Sequence, residues 1–362
     1  MLTLDHEFLG DEKMSKANLK FNKNGTFKIL QVSDFQDGPV QRYITMEYVL
    51  KCMKEYKPDL VMITGDNKYS TTGTEILKIM GKYFIEKTYA SFMKPLEEAG
   101  IPVAITFGNH DIDGKLSRRE QFEIFNKYSV CVSEAGEENL DGCCNFNLPI
   151  MSSDGKKVAF NLWCFDSNGG VLDEKLNWYL KVSDELKKKN DGKAVPSMVF
   201  QHHPPLQALK AVEEAGDNLN GFCHEQVCPD PEDKGKQFEV MKNQGDVIGF
   251  FYGHDHINSY CVNYEGVDFA CCPTSGFGYY GDFDTRGLRY ITIKEDGSYD
   301  TEMVYYYKKF CNDDKSKARF TMYSNELDMK VRKDAAEKYK DFCKKDGTYS
   351  KEIDKEIKIA LD

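Results

Sequence analysis

Five short clusters of polar side chains contain the residue types that bind metal ions and transfer protons. Each cluster follows a run of apolar, β-branched or aromatic residues, a pattern typical of a buried strand that ends in a loop. In chain order the clusters are Asp34-Phe35-Gln36, Gly65-Asp66-Asn67, Gly108-Asn109-His110-Asp111, His202-His203-Pro204 and Gly253-His254-Asp255-His256. Because ligands in open α/β sheets bind at the carboxyl ends of strands, we expect the five clusters to meet at one site.

The donor atoms of these clusters are carboxylate and amide oxygens and imidazole nitrogens, without a thiolate. This mixture favours Mn, Fe, Zn or Mg over a cysteine-rich structural zinc site. A carboxylate such as Asp66 can bridge two ions, and two ions about 3.5–4 Å apart stabilise an in-line displacement at phosphorus. His110, followed by Asp111, has the residue types of an imidazole that protonates a leaving oxygen with a carboxylate behind it.

Histidine is scarce in this sequence, and its distribution supports a shared role for the clusters. Five of the seven histidines lie in them. A single histidine after a strand is more often a hydrogen-bonded structural group than a ligand, but five at successive strand ends favour a metal site. The other two are His6 and His224, the latter in a polar loop with Cys223 and Cys228. We interpret His224 as solvent-exposed, because a zinc site there lacks a fourth ligand.

The segments between the clusters predict the elements that position them. The first half reads as strand, helix, strand, helix and strand, with connections long enough for crossovers and hence a parallel sheet. These elements are predicted at 27–33, 41–56, 59–64, 74–99 and 102–107. A helix at 117–128, a hairpin of 144–151 with 157–164, and a helix at 172–189 follow. An antiparallel set is predicted at 247–252, 257–263, 267–272, 288–294 and 301–308.

Charge and composition exclude several classes of function. The formal net charge of −11 and the pI near 5.3 disfavour non-specific binding to nucleic acid or to an anionic membrane. No run of some 18 apolar residues predicts a membrane span, and no secretory signal is evident. The twelve cysteines form no Cys-x-x-Cys pair, which favours reduced thiols and a cytoplasmic location. We divide the chain into a polar leader (1–20), one catalytic-type domain (21–312) and a charged helical extension (313–362).

The five clusters, taken in this order, resemble the calcineurin-like metallophosphoesterase superfamily, closest in style to its Dcr2 and purple-acid-phosphatase-29-like branch. Any one motif is weak, but five in the family's order are specific, and together they span about 27–310. The motifs are Ile29–Asp34, Pro58–Asn67, Gly108–Asp111, Phe200–Pro204 and Gly253–His256. The resemblance implies an α/β fold, a four-layer α/β/β/α sandwich of two mixed β-sheets flanked by helices.

The resemblance also implies which residues hold two metal ions. One ion would be held by Asp34, Asp66 and His256, and the other by Asp66, Asn109, His202 and His254, with Asp66 bridging. His202 stands two residues before a proline, as the family's ligand does, which leaves His203 to support the ligands or contact substrate. His110 matches the family's leaving-group acid, with Asp111 beside it, and Asn67 is a further possible contact to metal or substrate.

Two positions depart from the usual pattern of the family. Gln36 stands where the first motif usually has a histidine, and its neutral amide oxygen is a weaker ligand than imidazole. The first site is thus expected to be weaker or to prefer Mn, Mg or Fe over Zn. Tyr69, three residues after Asp66, has the spacing at which purple acid phosphatases place a tyrosinate ligand for ferric iron; packing is the alternative.

The expected function is hydrolysis of phosphate monoesters, or of diesters, by attack of a dimetal-bound hydroxide with His110 as general acid. The expected cofactors are two divalent or trivalent ions, and the expected substrate is a phosphorylated small molecule or a phosphoprotein. The alternative is a catalytically silent metal-binding or regulatory module of the same fold, which Gln36 motivates. The presence of His110, which has no use in a module that only binds metal, favours the enzyme.

Overall fold

Eleven strands and ten α-helices make up the part of the chain that the structure, a computed structural model, describes: residues 18–362 except 39, 41, 70–74 and 115. The strands are β1 (Thr26–Val32), β2 (Leu60–Thr64), β3 (Val103–Thr106), β4 (Phe146–Met151), β5 (Val158–Cys164), β6 (Ser197–Phe200), β7 (Val247–Tyr252), β8 (Cys261–Tyr264), β9 (Val267–Cys271), β10 (Gly287–Lys294) and β11 (Tyr299–Tyr305). The helices are α1 (Tyr43–Tyr56), α2 (Glu75–Ala99), α3 (Arg118–Phe125), α4 (Asp173–Lys189), α5 (Gln207–Ala215), α6 (Lys236–Gln244), α7 (Tyr306–Phe310), α8 (Asp314–Tyr323), α9 (Met329–Lys345) and α10 (Lys351–Leu361).

The first sheet has the strand order β11-β10-β1-β2-β3. Its central strands β1, β2 and β3 are parallel, with Ile29 opposite Leu60 and Val61 opposite Val103. On the other side of β1, β10 pairs antiparallel, and β11 pairs antiparallel with β10. The predicted parallel unit with helical crossovers α1 and α2 is confirmed, with boundaries that differ from the prediction by one or two residues.

The second sheet has the order β4-β5-β6-β7-β9-β8. The predicted hairpin is confirmed as the antiparallel pair β4 and β5. The prediction of one antiparallel set in the last third of the chain is wrong: β7 runs parallel to both β6 and β9. Every residue of β7 except Ile248 is buried, as expected for a central strand that has parallel neighbours and is covered on both faces.

The two sheets face each other across the main apolar core. Ile29, Leu30 and Ile291 of the first sheet belong to the same buried cluster as Leu162 and Phe251 of the second. A few polar contacts cross the core, and among them the side-chain amide of Gln31 donates to the carbonyl of Tyr252 (3.2 Å). Both sheets are mixed and flanked by helices, so the predicted four-layer sandwich is confirmed. The facing sheets place the ends of β1, β2 and β3 against those of β6 and β7.

Helices cover the outer face of each sheet by burying an aromatic stripe. Tyr89 and Phe92 of α2 pack under the first sheet, where Tyr89 stacks on Phe125 of α3 at 4.1 Å between ring centroids. Under the second sheet, Trp163 of β5 meets Tyr179 of α4 edge to face at 4.9 Å. Such pairs add about 0.5–1.5 kcal/mol to the hydrophobic burial of their rings. They hold the strand ends at fixed positions.

The charged C-terminal extension is helical, but it is not a single exposed helix. It forms α8, α9 and α10, which bury Phe320 and Tyr323 completely or nearly so. Arg319 pairs with both Glu47 of α1 and Glu356 of α10 (2.6 Å each), so the extension is attached to the first sheet's helical layer. The division at residue 312 stays a prediction.

Most of the predicted polar leader, residues 1–17, lies outside the described residues. Its last residues pack against the domain: Leu19 is buried, and Lys20 bridges to Met151 at the edge of β4. None of the described helices is long and apolar enough to cross a membrane.

Candidate metal centre

The structure brings the five polar clusters together at one end of the facing sheets. Asp34 and Asp66 follow β1 and β2, Asn109 follows β3, and His202 and His254 follow β6 and β7. Backbone hydrogen bonds link successive loops: Asp34 N–H donates to the Gly65 carbonyl (3.1 Å), and Gly253 N–H donates to the His202 carbonyl (3.0 Å). Parallel neighbouring strands end at the same sheet edge, which is why residues far apart in sequence meet here.

The first group of donor atoms comprises Asp34, Asp66 and His256. Each offers one ligand atom within 4.8 Å of the other two, and all three side chains are buried. His256 Nε2 lies 3.4 Å from Asp34 Oδ1. Its other ring nitrogen, Nδ1, is 2.8 Å from the carbonyl of Tyr280, and this contact requires the proton to be on Nδ1. Nε2 is therefore left as the lone-pair atom that faces the carboxylates.

The second group surrounds His202 Nε2. This atom lies 3.1 Å from Asn109 Oδ1, 3.3 Å from His254 Nδ1 and 3.5 Å from Asp66 Oδ2. His202 Nδ1 lies 2.8 Å from the Thr64 carbonyl, so Nδ1 carries the proton and Nε2 points into the group. Asp66 belongs to both groups, which is the arrangement of a bridging carboxylate.

The spacing of the donor atoms fits metal ions. Two ligand atoms each about 2.1 Å from one ion and at right or tetrahedral angles lie roughly 3.0–3.4 Å apart. The contacts of His202 Nε2 and the Asp34–His256 contact have about this length. Asp34 Oδ1 and Gln36 Oε1 are also buried without a hydrogen-bond partner. Buried polar atoms without partners are rare, and a cation would satisfy both.

The electrostatics of the group also favour bound cations. Burial alone would lower the pKa of His202, but the carboxylates of Asp66 and Asp34 outweigh it and raise that pKa to about 10, so they attract a cation, either a proton or a metal ion, to Nε2. The converse holds for Asp66: burial opposes ionisation, and the positive charge of His202 holds the pKa of Asp66 far below its usual range. Burial, helped by His202, lowers the pKa of His254 to about 4, which keeps that imidazole neutral as a ligand must be.

Gln36 lies inside the centre rather than at its edge. It is 1% exposed, and its side-chain amide donates to Asp66 Oδ2 (2.8 Å). The amide nitrogen is thus directed at the carboxylate of Asp66, which leaves the amide oxygen, buried without a hydrogen-bond partner, as the atom able to bind metal. Its assignment as a ligand stays a prediction.

Strained backbone and close glycine contacts bring the loops this near. Asp34, Gln36, Asp66 and His254 have φ angles of 51°, 38°, 50° and 72°, a left-handed region that costs non-glycine residues on the order of 1–3 kcal/mol each. A Cβ atom at Gly108 would lie 2.2 Å from Asp66 Oδ1, so only glycine allows this loop to approach the carboxylate of Asp66. Strain concentrated at four candidate ligands is typical of a functional site.

His110 and its carboxylate partner differ from the sequence prediction. The backbone N–H of His110 donates to Asp66 Oδ1 (2.8 Å), and its Nδ1 lies 2.9 Å from Asp113 Oδ2. The expectation that Asp111 stands behind His110 is therefore wrong, because Asp111 turns into the protein. There it accepts from the backbone N–H groups of Gly108 (2.8 Å) and Asn67 (3.0 Å), and burial raises its pKa to about 6.

The remaining candidates lie behind or beside the two groups. Asn67 donates through its side-chain amide to Thr106 and Asp111, so it braces the loop after β2 rather than facing the groups. His203 is buried with its ring 4.4 Å from that of His254 and its Nδ1 3.1 Å from Ser167 Oγ. Burial, with the charge of His202, lowers the pKa of His203 well below its usual value. His203 therefore supports the centre as a neutral ring.

Tyr69 lies at the rim of the centre. Its side chain is 39% exposed, and its ring packs edge to face on Tyr279 at 5.9 Å between centroids. We expect protein loaded with ferric iron to lack a tyrosinate charge-transfer band in the visible spectrum, because this ring is engaged by Tyr279. A visible band that Tyr69→Phe abolishes, with iron content unchanged, would instead show that Tyr69 binds iron.

Three residues have supporting roles that sequence reasoning did not assign to them. Asp113 pairs with His110, Ser167 contacts His203, and Tyr280 stacks on His256 at 4.1 Å while accepting from its Nδ1. Only Asp113 had a usable signal, since a spacing of three residues places two side chains on one face of a tight helical turn. The other two come from distant loops.

Comparisons with known proteins agree with this geometry. The calcineurin-like phosphoesterase family matches residues 27–258, and the chain belongs to that family. Probable inactive purple acid phosphatase 14 of Arabidopsis thaliana is 27% identical over 77% of this chain and 77% of its own. Phosphatase DCR2 of Saccharomyces cerevisiae is 25% identical over 72% of this chain and 49% of its own. The crystal structure of a dimetal phosphatase from Danio rerio shares the fold, with 12% identity, a TM-score of 0.50, and coverage of 77% of this chain and 99% of that one.

Proposed function

We propose that the protein is a metal-dependent hydrolase of phosphate esters, with monoesters as the first class to test. The position of His110 carries this proposal. Its backbone is bonded to the carboxylate shared by both donor groups, its side chain remains 31% exposed, and Asp113 pairs with its inner nitrogen. A protein that only binds metal has no chemical need for an exposed imidazole–carboxylate pair at this place.

The residues of the chain divide the chemistry between them. Asp34, Asp66 and His256 would hold one ion and Asp66, Asn109, His202 and His254 the other, and these ions would supply Lewis acidity toward water and the phosphoryl oxygens. Asp113 accepts from Nδ1 of His110 and stabilises the charged imidazolium. The exposed Nε2 can then transfer its proton to the oxygen of the departing alcohol. His203 and Tyr280 keep the ligand rings in place.

The substrate is proposed to be a phosphorylated small molecule or a phosphoprotein. The net charge of −11 opposes non-specific binding of nucleic acid, so no polynucleotide is proposed. The twelve cysteines are free in the structure, which supports a reducing compartment such as the cytoplasm as the place of action.

The direct test is hydrolysis by protein stripped of metal and then reloaded separately with Mn, Fe, Zn or Mg. The substrates are an aryl phosphate monoester and the matching diester, with the two rates giving the class of ester. Turnover that depends on metal supports the proposal. Silence with every metal, in protein shown to bind two ions, contradicts it for these substrates and favours the second candidate.

The second candidate is a metal-binding module without turnover. Gln36 favours it, because a neutral amide occupies the place of an imidazole and is bonded to the shared carboxylate. The relative from Arabidopsis thaliana named above is also called probably inactive. The two candidates predict different turnover for the variant in which histidine replaces Gln36.

Gln36→His is expected to raise metal affinity by about tenfold. Imidazole is the stronger ligand, and without the hydrogen bond from Gln36 the Oδ2 atom of Asp66 is free to bind metal. Calorimetric titration of metal-free protein measures the change, with Gln36→Leu as a control that removes the donor atom and should weaken binding. If the protein is a hydrolase, both the parent and Gln36→His turn over substrate; if it is a silent module, neither does. Equal affinity of all three proteins would show that position 36 does not reach the metal.

A further inference from the structure

A cleft of about 620 Å³ opens beside the metal centre and is used by no step proposed so far. Its described lining includes three tyrosines and two arginines, and we call it the tyrosine cleft. Its lining includes Arg42, Tyr69, Tyr279, Tyr280, Arg332 and Asp362. The volume is that of a site for a small organic molecule.

Tyr279 joins the tyrosine cleft to the centre. Its ring centroid lies 5.7 Å from that of His256 and 6.3 Å from that of His110, and on the cleft side it contacts Tyr69 at 5.9 Å. The loop that carries it is anchored, because the Tyr279 carbonyl accepts from Asn325 (2.7 Å) and Arg286 (3.1 Å). A group leaving the phosphorus next to His110 would therefore meet a fixed aromatic face.

Two arginines place positive charge at another part of the cleft. Arg332 is 7% exposed, and its guanidinium donates to the carbonyls of Met322 and Ala360. Burial, and next the positive charge of Arg42, lower the pKa of Arg332. Glu326 acts on Arg332 in the opposite sense, and Arg42 interacts with the buried carboxylate of Asp37, so part of this positive charge is already balanced. The hydrogen bonds of Arg332 to Met322 and Ala360 go to neutral carbonyls, and a bound anion would balance the rest of its charge. Asp362 also lines the cleft, but it is exposed to solvent, where its charge is screened.

We propose that the tyrosine cleft binds the alcohol part of the substrate, and that this part is aromatic and has a second anionic group, which Arg42 and Arg332 recognise. The inference rests on the proposed hydrolase function and narrows its substrate class. Aromatic rings suit the faces of Tyr69 and Tyr279, and a carboxylate or phosphate suits two guanidinium groups. A phosphate ester of a plain aliphatic alcohol would use neither.

Binding is tested with two phosphonates that cannot be hydrolysed, benzylphosphonate and 4-(phosphonomethyl)benzoate, titrated calorimetrically into metal-loaded protein. The carboxylate is expected to tighten binding by about tenfold, and Arg42→Met is expected to remove that advantage. Lys188→Met, which removes an exposed positive charge on α4, is the charge-matched control and should preserve it. Tyr279→Leu should weaken both aromatic ligands about tenfold, with methylphosphonate unaffected.

Turnover is measured in parallel with phenyl phosphate and 4-carboxyphenyl phosphate. A lower KM for the carboxylated ester, lost in Arg42→Met and kept in Lys188→Met, supports the inference. Equal binding of both phosphonates overturns it, and if phenyl phosphate is still hydrolysed the hydrolase proposal stands. A carboxylate preference in binding without turnover of either ester supports the cleft and contradicts the hydrolase. If Arg42→Met and Lys188→Met lose the preference for the carboxylated ligand equally, the preference comes from the overall charge of the protein, and the inference is overturned.

Discussion

Asp66→Asn is expected to abolish binding of the two proposed metal ions. The carboxylate of Asp66 lies in both donor groups, 3.5 Å from His202 Nε2 and within 4.8 Å of the donors of Asp34 and His256. An amide keeps its size but loses the charge and one of the two oxygens needed to bridge. Metal affinity should fall by more than about 100-fold, because that is the upper range for residues that only support a ligand. Metal content after dialysis and calorimetric titration measure the loss.

Asp246→Asn is the matched control for this variant. Asp246 is also a buried carboxylate, but it lies just before β7, at the opposite end from the centre, where Ser183 donates to it (2.9 Å) and Tyr179 forms a second bond. Its replacement should cost stability on thermal unfolding while two ions still bind. Two tightly bound ions in Asp66→Asn would show that the shared carboxylate is not the bridge and would contradict the proposed ligand sets.

His110→Ala is expected to lower kcat by about 10²–10⁴-fold while both ions remain bound. The reason is that His110 contributes its side chain to no donor group, and only its backbone N–H contacts Asp66. The loss should depend on the leaving group: an alkyl phosphate, which needs a proton on its departing oxygen, should lose much more than 4-nitrophenyl phosphate. Steady-state rates on the two esters, with metal content measured on the same samples, give the ratio.

Asp113→Asn tests the partner of His110, the proposed general acid. It should produce a smaller loss with the same dependence on the leaving group, because the imidazolium of His110 would lose the carboxylate that stabilises it (2.9 Å). Equal losses on both esters in His110→Ala would show that His110 positions substrate and does not transfer a proton. Loss of metal in His110→Ala would make the kinetic result a consequence of a damaged centre.

The elements that carry the clusters were readable from the sequence because their signals are local. A continuous apolar run such as Leu60–Thr64, followed by Gly65 and Asp66, identifies a buried parallel strand and the polar loop after it. The order of the clusters then indicated the fold and the candidate ligands, and the structure brings these residues together. Strand neighbours were less predictable, since β7 looks the same from sequence whether its partners are parallel or antiparallel.

The carboxylate that pairs with His110 could not be chosen correctly from the local sequence. Asp111 is adjacent to His110 in sequence, but a short 3₁₀ turn over Asn109–Ile112 points the two side chains in different directions. Asp113, which comes after that turn, meets the imidazole instead. The side-chain amide of Gln121 in α3 donates to the Asp111 carbonyl (2.6 Å) and holds the turn in place. Which carboxylate pairs with His110 therefore depends on the packing of a helix that comes after the turn in the sequence.

By itself, the sequence determined the chemical groups available to this protein: oxygen and imidazole donors at five strand ends, an aspartate proposed to bridge, an imidazole proposed as an acid and one neutral amide in place of a histidine. Only the tertiary structure decided how these groups face one another. The left-handed backbone at Asp34, Asp66 and His254, the partner of His110, and the meeting of Tyr279 with Arg332 in one cleft are examples. They depend on contacts between segments up to hundreds of residues apart. Packing of the whole domain sets such contacts, and local patterns do not encode them.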